Sequence, residues 1–128
     1  AKQIKRGNPG NRIVAVLWHQ GESDVYANAT KEYYREKLQI LIDGFRTELC
    51  DSDLLFIAGN MVEEWRNSQP CAANIISATE DVIKNNRNCA FVSSDGLSGN
   101  PDGDFIHFSN KANIVFGQRY FKAYESLL

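Results

Sequence analysis

The two residues whose spacing most resembles working chemistry are Asp104 and His107, in Asp104-Phe105-Ile106-His107-Phe108. A carboxylate three residues before an imidazole can reach one ring nitrogen within a loop or short turn. That contact fixes the tautomer and leaves the other nitrogen free to take a proton from a nucleophile. A base with its orienter is one reading. The others are a satisfied histidine packed between Ile106 and Phe108, and turn material at Asp104, since Asn100-Pro101-Asp102-Gly103-Asp104 has turn chemistry of its own. A second polar cluster is His19-Gln20-Gly21-Glu22-Ser23-Asp24. The Gln20 amide could donate to a developing oxyanion or could tie two loops together. His19 is either a solvated loop residue or a partner for a neighbour.

The elements that must position these groups follow from hydrophobic pattern. Ile13-Val14-Ala15-Val16-Leu17-Trp18 is an unbroken apolar run and reads as a strand buried on both faces, so the polar cluster starts where a buried strand ends. From about Lys31 to Leu49, apolar residues Tyr34, Leu38, Leu41, Ile42, Phe45 and Leu49 return at helical spacing, with Thr30 as the cap and Glu32 in the first turn. Leu54 to Gly59 is a second buried strand, followed by a polar connection from Asn60 to Gln69 containing Trp65 and Arg66. A helix from about Pro70 to Asn86 carries Ala73, Ile76, Val82 and Ile83 on its apolar side, with Pro70 in its first turn. Cys89 to Val92 is a short third strand, and a loop dense in turn formers runs from Ser93 to Phe108. The last helix begins near Asn110 with Ser109 as its cap, and turns Ala112, Val115, Phe116, Tyr120, Ala123 and Leu127 inward.

Strands alternating with helices predict adjacent parallel strands in a three-layer α/β fold, with both polar loops at the carboxyl ends, where such sheets bind ligands. Gln20, Asp104 and His107 are therefore expected to converge. Three strands make a small sheet, and the first already reads as an interior one. The sheet is expected to be completed by a segment or chain outside this sequence, and the chain by itself to expose an apolar edge that favours association.

Composition narrows the function classes. A formal net charge of −2 offers no broad positive field to a nucleic acid. Lys2, Lys5 and Arg6 form only a short basic arm within residues 1–12, where Gly7, Pro9 and Gly10 mark a turn. No apolar run approaches the roughly 18 residues of a membrane span. Cys50, Cys71 and Cys89 are widely spaced, without a CxxC pair, and read as small buried or half-buried hydrophobes rather than zinc ligands; one disulfide with a leftover thiol is the alternative. Asp95, Asp102 and Asp104 lack the spacing of a calcium loop. Asn28-Ala29-Thr30 is a glycosylation sequon, meaningful only in a secretory compartment, and the chain suits a secreted or a cytoplasmic setting equally.

The string Trp18-His19-Gln20-Gly21-Glu22-Ser23-Asp24, followed some eighty residues later by Asp104-Phe105-Ile106-His107 and an amphipathic helix, resembles the sialate O-acetylesterase and acetylxylan esterase branch of the SGNH hydrolases. The W-x-Q-G-E-S-D string is far more specific than a lone D-x-x-H, and the resemblance extends from Ile13 nearly to the end. It implies a flavodoxin-like α/β/α domain that removes O-acetyl groups from carbohydrate through a serine nucleophile, with no cofactor. It further implies His107 as general base, Asp104 as its orienter, and Gln20 lining the oxyanion hole, with Gly21 letting the backbone approach. Glu22 and Asp24 would brace that loop, and His19, at the variable position, receives no role. The family's nucleophile turn and oxyanion glycine precede the tryptophan block. Neither is present here, and Ser23, Ser93, Ser94, Ser98 and Ser109 do not sit on such a turn. The resemblance thus implies that residues 13–128 are the C-terminal portion of one esterase domain, a fragment or a processed subunit, completed by an N-terminal segment or complementary chain. A noncatalytic carbohydrate-binding or structural remnant of the same fold is the alternative.

Overall fold

The computed structural model describes Asn8 and residues 10–128. The basic residues Lys2, Lys5 and Arg6, with Gly7 and Pro9 of the expected turn, lie outside the described residues. The order of elements is β1 (Ala15–His19), α1 (Glu22–Tyr26), α2 (Lys31–Leu49), β2 (Leu55–Gly59), α3 (Glu63–Ser68), α4 (Ala72–Asn85), β3 (Cys89–Val92) and α5 (Asn110–Ser126). The strands form one sheet in the order β1-β2-β3, all parallel. Trp18 aligns with Ala58 and Phe91, and His19 with Gly59 and Val92, so the three strands end together. The adjacent, parallel arrangement expected from the apolar runs is the arrangement observed.

Helices α2 and α4 cover one face of the sheet and α5 the other, giving the α/β/α layering. On the first face, Trp18 and Phe45 both pack against Phe56, with ring centroids 6.4 and 6.5 Å away, and Ile42 and Ile75 are fully or almost fully buried. Helix α2 starts and stops where its sequence directs. The Thr30 hydroxyl accepts from the Tyr33 amide at 3.2 Å, while Cys50 ends the helix in the left-handed conformation at φ 52°. Helix α5 is capped in the same way, Ser109 accepting from the Ala112 amide at 3.2 Å.

The other face depends on a glycine. Gly59, the last residue of the central strand, lies directly beneath α5. A β-carbon there would collide with the Tyr120 hydroxyl and lie 2.6 Å from Phe116 Cζ. Because overpacking of this kind costs about 1–3 kcal/mol, Gly59→Ala is expected to lower the urea midpoint by about 1 M, given slopes of about 1–3 kcal/mol per M for small domains. A midpoint unchanged within error would show that α5 can lift away without cost.

Several expectations are corrected. The first strand is not buried on both faces: it runs from Ala15 to His19, starting later and ending one residue further than its apolar run, and it stands at the end of the described sheet. Helix α5 packs on β2 and β3, so Leu17, on the same face, stays 60% exposed, and Val14 is exposed just before the strand. The segment from Asn60 to Gln69 is not wholly irregular, because α3 forms within it around the buried Trp65. Helix α4 begins at Ala72, placing Pro70 in the preceding turn, and its buried side is Ala72, Ile75, Ala78, Thr79, Val82 and Ile83, with Ala73 exposed. Thr79 joins this buried side with its hydroxyl returned to the Ile75 carbonyl at 2.8 Å. All three cysteines are free thiols, and Cys50 is exposed at the helix end rather than buried. Burial raises the pKa of the half-buried Cys89 thiol, against the opposing pull of the Arg46 guanidinium.

Candidate active site

Both polar clusters lie at the carboxyl end of the sheet, where a parallel topology sends them. The first follows β1 without interruption. Gly21 caps the short helix α1 with φ 151°, a conformation side chains rarely adopt, and a β-carbon there would press to 2.9 Å from Ile75 Cγ2. This buried glycine lets the backbone turn from strand to helix within one residue. The Gln20 side chain is then held on both ends of its amide. Its nitrogen donates to Asp24 Oδ2 at 2.6 Å, and its oxygen lies 3.2 Å from the Tyr34 hydroxyl, which also reaches the Gln20 backbone carbonyl at 3.1 Å. One amide hydrogen remains after the Asp24 bond. Burial, with smaller additions from the Asp24 and Glu22 carboxylates, pushes the Tyr34 phenol up to about 12, so it stays a neutral donor near neutral pH. Asp24 is thus a direct brace of Gln20, while Glu22 faces His19, with Oε1 3.8 Å from Nε2. In the sequence Tyr34 stands only as part of the apolar stripe of α2. A tyrosine on such a stripe, four residues after the cap, is the one sequence signal that could have raised it.

The second cluster is built by the loop between β3 and α5. Its neck is closed by backbone bonds from Ser109 to the Ser98 carbonyl at 3.1 Å and from Asn100 to the His107 carbonyl at 2.8 Å, with a bridge between Gly99 and Phe108. Within the closed loop Asp104 Oδ2 lies 2.7 Å from His107 Nδ1, and Asp104 Oδ1 accepts from the His107 amide at 3.4 Å. The hydrogen bond from His107 holds the Asp104 carboxyl below the usual carboxylate range. Paired at Nδ1, the imidazole turns its other nitrogen outward, and the side chain is 76% exposed. Anchorage at the root comes from α3. The Arg66 guanidinium donates to Ser94 Oγ at 3.1 Å and pairs with Asp95, and Glu63 accepts from the Gly96 amide at 2.6 Å. Asp95 and Asp104, weighed as calcium ligands, are engaged by Arg66 and His107 instead. Arg66 and Glu63 were legible only as members of a polar connection, because nothing in sequence tells which loop a charged residue will meet.

The two clusters are neighbours. The His19 ring, one residue before Gln20, packs 5.5 Å from the ring of Phe108, one residue after His107. The Gln20 side chain itself turns toward Tyr34 of α2, while the His107 loop meets the end of the sheet on the α5 side through Phe108. An imidazole paired at Nδ1 with a carboxylate is an arrangement of the kind used in acyl transfer.

A family model described as carbohydrate esterase, sialic acid-specific acetylesterase, matches residues 1–126. The chain belongs to this family. Two solved structures share its fold. A protein from Arabidopsis thaliana superposes with a TM-score of 0.79 at 25% identity, over 98% of this chain and 49% of that one. NanS superposes with a TM-score of 0.76 at 17% identity, over 98% and 50% of the two chains, and shows the fold alone. The chain spans about half the length of these solved relatives. No match was found among curated proteins. The SGNH-type α/β/α architecture and the sialate-esterase resemblance carried by Trp18 to Asp24 are therefore those of the family.

Proposed function

We propose that the protein serves a serine-dependent carbohydrate O-acetylesterase, supplying the general base, its orienter and part of the oxyanion hole. The observation that carries this reading is the 2.7 Å contact between Asp104 Oδ2 and His107 Nδ1, with the second ring nitrogen turned to solvent at the carboxyl end of the sheet. In this reading residues 13–128 are the C-terminal portion of one esterase domain and residues 1–12 its arm. The nucleophilic serine comes from polypeptide outside these 128 residues, an N-terminal segment or complementary chain. The half-length match to the solved relatives and the end position of β1 support that division, since a further strand would fit along the outer edge of β1.

The chemistry then runs through this chain's own groups. His107 takes the serine proton as the oxygen attacks the acetyl carbonyl, and the imidazolium is stabilised by Asp104. The remaining Gln20 amide hydrogen donates to the tetrahedral oxyanion, while Gly21 keeps the backbone close. His107 returns the proton to the departing sugar hydroxyl, and water, activated by the same imidazole, releases acetate. These steps need no metal or organic cofactor.

The test is acetate release from O-acetylated carbohydrates, O-acetylated sialic acid among them, and from a chromogenic acetyl ester. Activity is expected when the chain is joined to, or co-expressed with, a serine-bearing N-terminal half, and little or none from the 128 residues alone. A completed domain that binds the sugar but releases no acetate would favour the noncatalytic binding reading.

A further inference from the structure

We propose that His19 is a positioning residue, its imidazole acting as a strut that holds the neck of the base loop against the end of β1. The inference rests on the esterase reading for its bearing on catalysis, and on geometry alone for its structural content. His19 shares the sheet face of Gly59, with which it aligns across the strands, and so points toward α5 rather than toward α2. Its ring lies 5.5 Å from Phe108 at a tilt of 38°, and 5.6 Å from Phe116 in an edge-to-face arrangement. Phe108 and Phe116 are themselves 4.7 Å apart, Phe116 stacks edge-on to Tyr120 at 4.9 Å, and the Tyr120 hydroxyl donates to the Trp18 carbonyl at 2.7 Å. The aromatic chain therefore starts at the end of β1, passes through the base loop and α5, and returns to β1 one residue earlier.

Two features make His19 the adjustable member of this ring. Phe108, Phe116 and Tyr120 are buried in the core, whereas the His19 side chain is 36% exposed and can be changed with little effect on the core. It also has a neighbour on each side of the site: Phe108 adjoins the base His107, and Glu22, 3.8 Å from Nε2, opens the helix that follows Gln20 and Gly21. The imidazole thus sets the separation of the base loop from the oxyanion loop. Edge-to-face and offset ring contacts carry directional preference beyond their area, and the ring contact rather than the Glu22 contact is the part that fixes the neck.

Amide hydrogen exchange of the protein tests this directly. The reporters are the amides of Asn100 and Ser109, whose bonds to His107 and Ser98 close the neck, with the buried α2 residue Ile42 as the control. His19→Ala is expected to speed exchange at Asn100 and Ser109 by about tenfold or more while leaving Ile42 unchanged, as local opening does. His19→Phe, which keeps a ring in place, is expected to restore neck protection to within about twofold of the original. If His19→Ala does not fold, His19→Asn, which reaches neither ring, is read in the same way. In a completed active esterase, His19→Ala should lower kcat by about tenfold to a hundredfold with KM little changed, since small misplacement of a base is costly. The proposal is overturned by a neck that stays protected in His19→Ala, by acceleration spread equally to Ile42, or by failure of His19→Phe to rescue. Because exchange requires no ester, absence of esterase activity in the completed domain would defeat the functional reading and leave the strut standing.

Discussion

His107→Ala, introduced into the completed esterase, is expected to lower turnover by about 10⁴-fold, leaving only what oxyanion donors and binding supply. The size of the effect follows from what the imidazole does. In the proposed mechanism it alone would accept the nucleophile's proton, while the Asp104 carboxylate, 2.7 Å from Nδ1, would orient and stabilise it. Because the His107 hydrogen bond holds Asp104 below the usual carboxylate range, Asp104 is an ionised acceptor throughout the pH range in which a histidine base works. The exposed position of His107, on a loop closed by backbone bonds rather than by its own side chain, means that removal of the ring should leave the fold intact. Acetate release before and after substitution, with circular dichroism as the check on folding, measures this. A folded His107→Ala protein that keeps its activity would end the catalytic reading and leave the noncatalytic one in its place.

The second large effect is expected at Gln20. Loss of one oxyanion-hole donor commonly costs about 10²–10³ in kcat, and Gln20→Ala should fall in that range with a smaller change in KM. The Asp24 and Tyr34 bonds sharpen the expectation. They determine which end of the amide is nitrogen, and hold it without water having to reorganise as charge develops. Tyr34→Phe, which deletes the hydroxyl and keeps the ring, should therefore reproduce part of the kcat loss although Tyr34 touches no substrate. If Gln20 instead only joins α1 to α2, Gln20→Ala would lower the unfolding midpoint and leave kcat unchanged. Measuring both quantities on the same preparation separates the two roles.

The legibility of this protein was uneven for a physical reason. Local signals were sufficient wherever a single element determines its own form. Thr30 and Ser109 both cap the helices they were expected to cap, helix α2 spans Lys31–Leu49 as its apolar stripe predicts, and β3 spans Cys89–Val92. The Asp104–His107 contact belongs to the same class, since both partners lie within one turn of chain and the backbone there brings them together. The short helices α1 and α3 escaped because five or six residues carry too little periodicity to register, and one depends on the unusual φ of Gly21. Burial was legible less well. Six apolar residues in a row predicted an interior strand, yet exposure of Leu17 depends on where α5 lies, and that is decided by Gly59, Phe116 and Tyr120, more than forty residues away.

By itself the sequence determined the alternation of strands and helices, the end of the sheet at which the polar loops gather, the pairing of Asp104 with His107, and, through Trp18 to Asp24, the family. Only the tertiary structure decided that Tyr34 and Asp24 hold the Gln20 amide, that Arg66 and Glu63 anchor the root of the loop carrying His107, and that the His19 ring packs on Phe108. These are contacts between side chains distant in the chain or dependent on how elements pack. Propensity and periodicity act over one turn or one strand, whereas such contacts depend on the relative placement of whole elements, which is set by packing of the complete core.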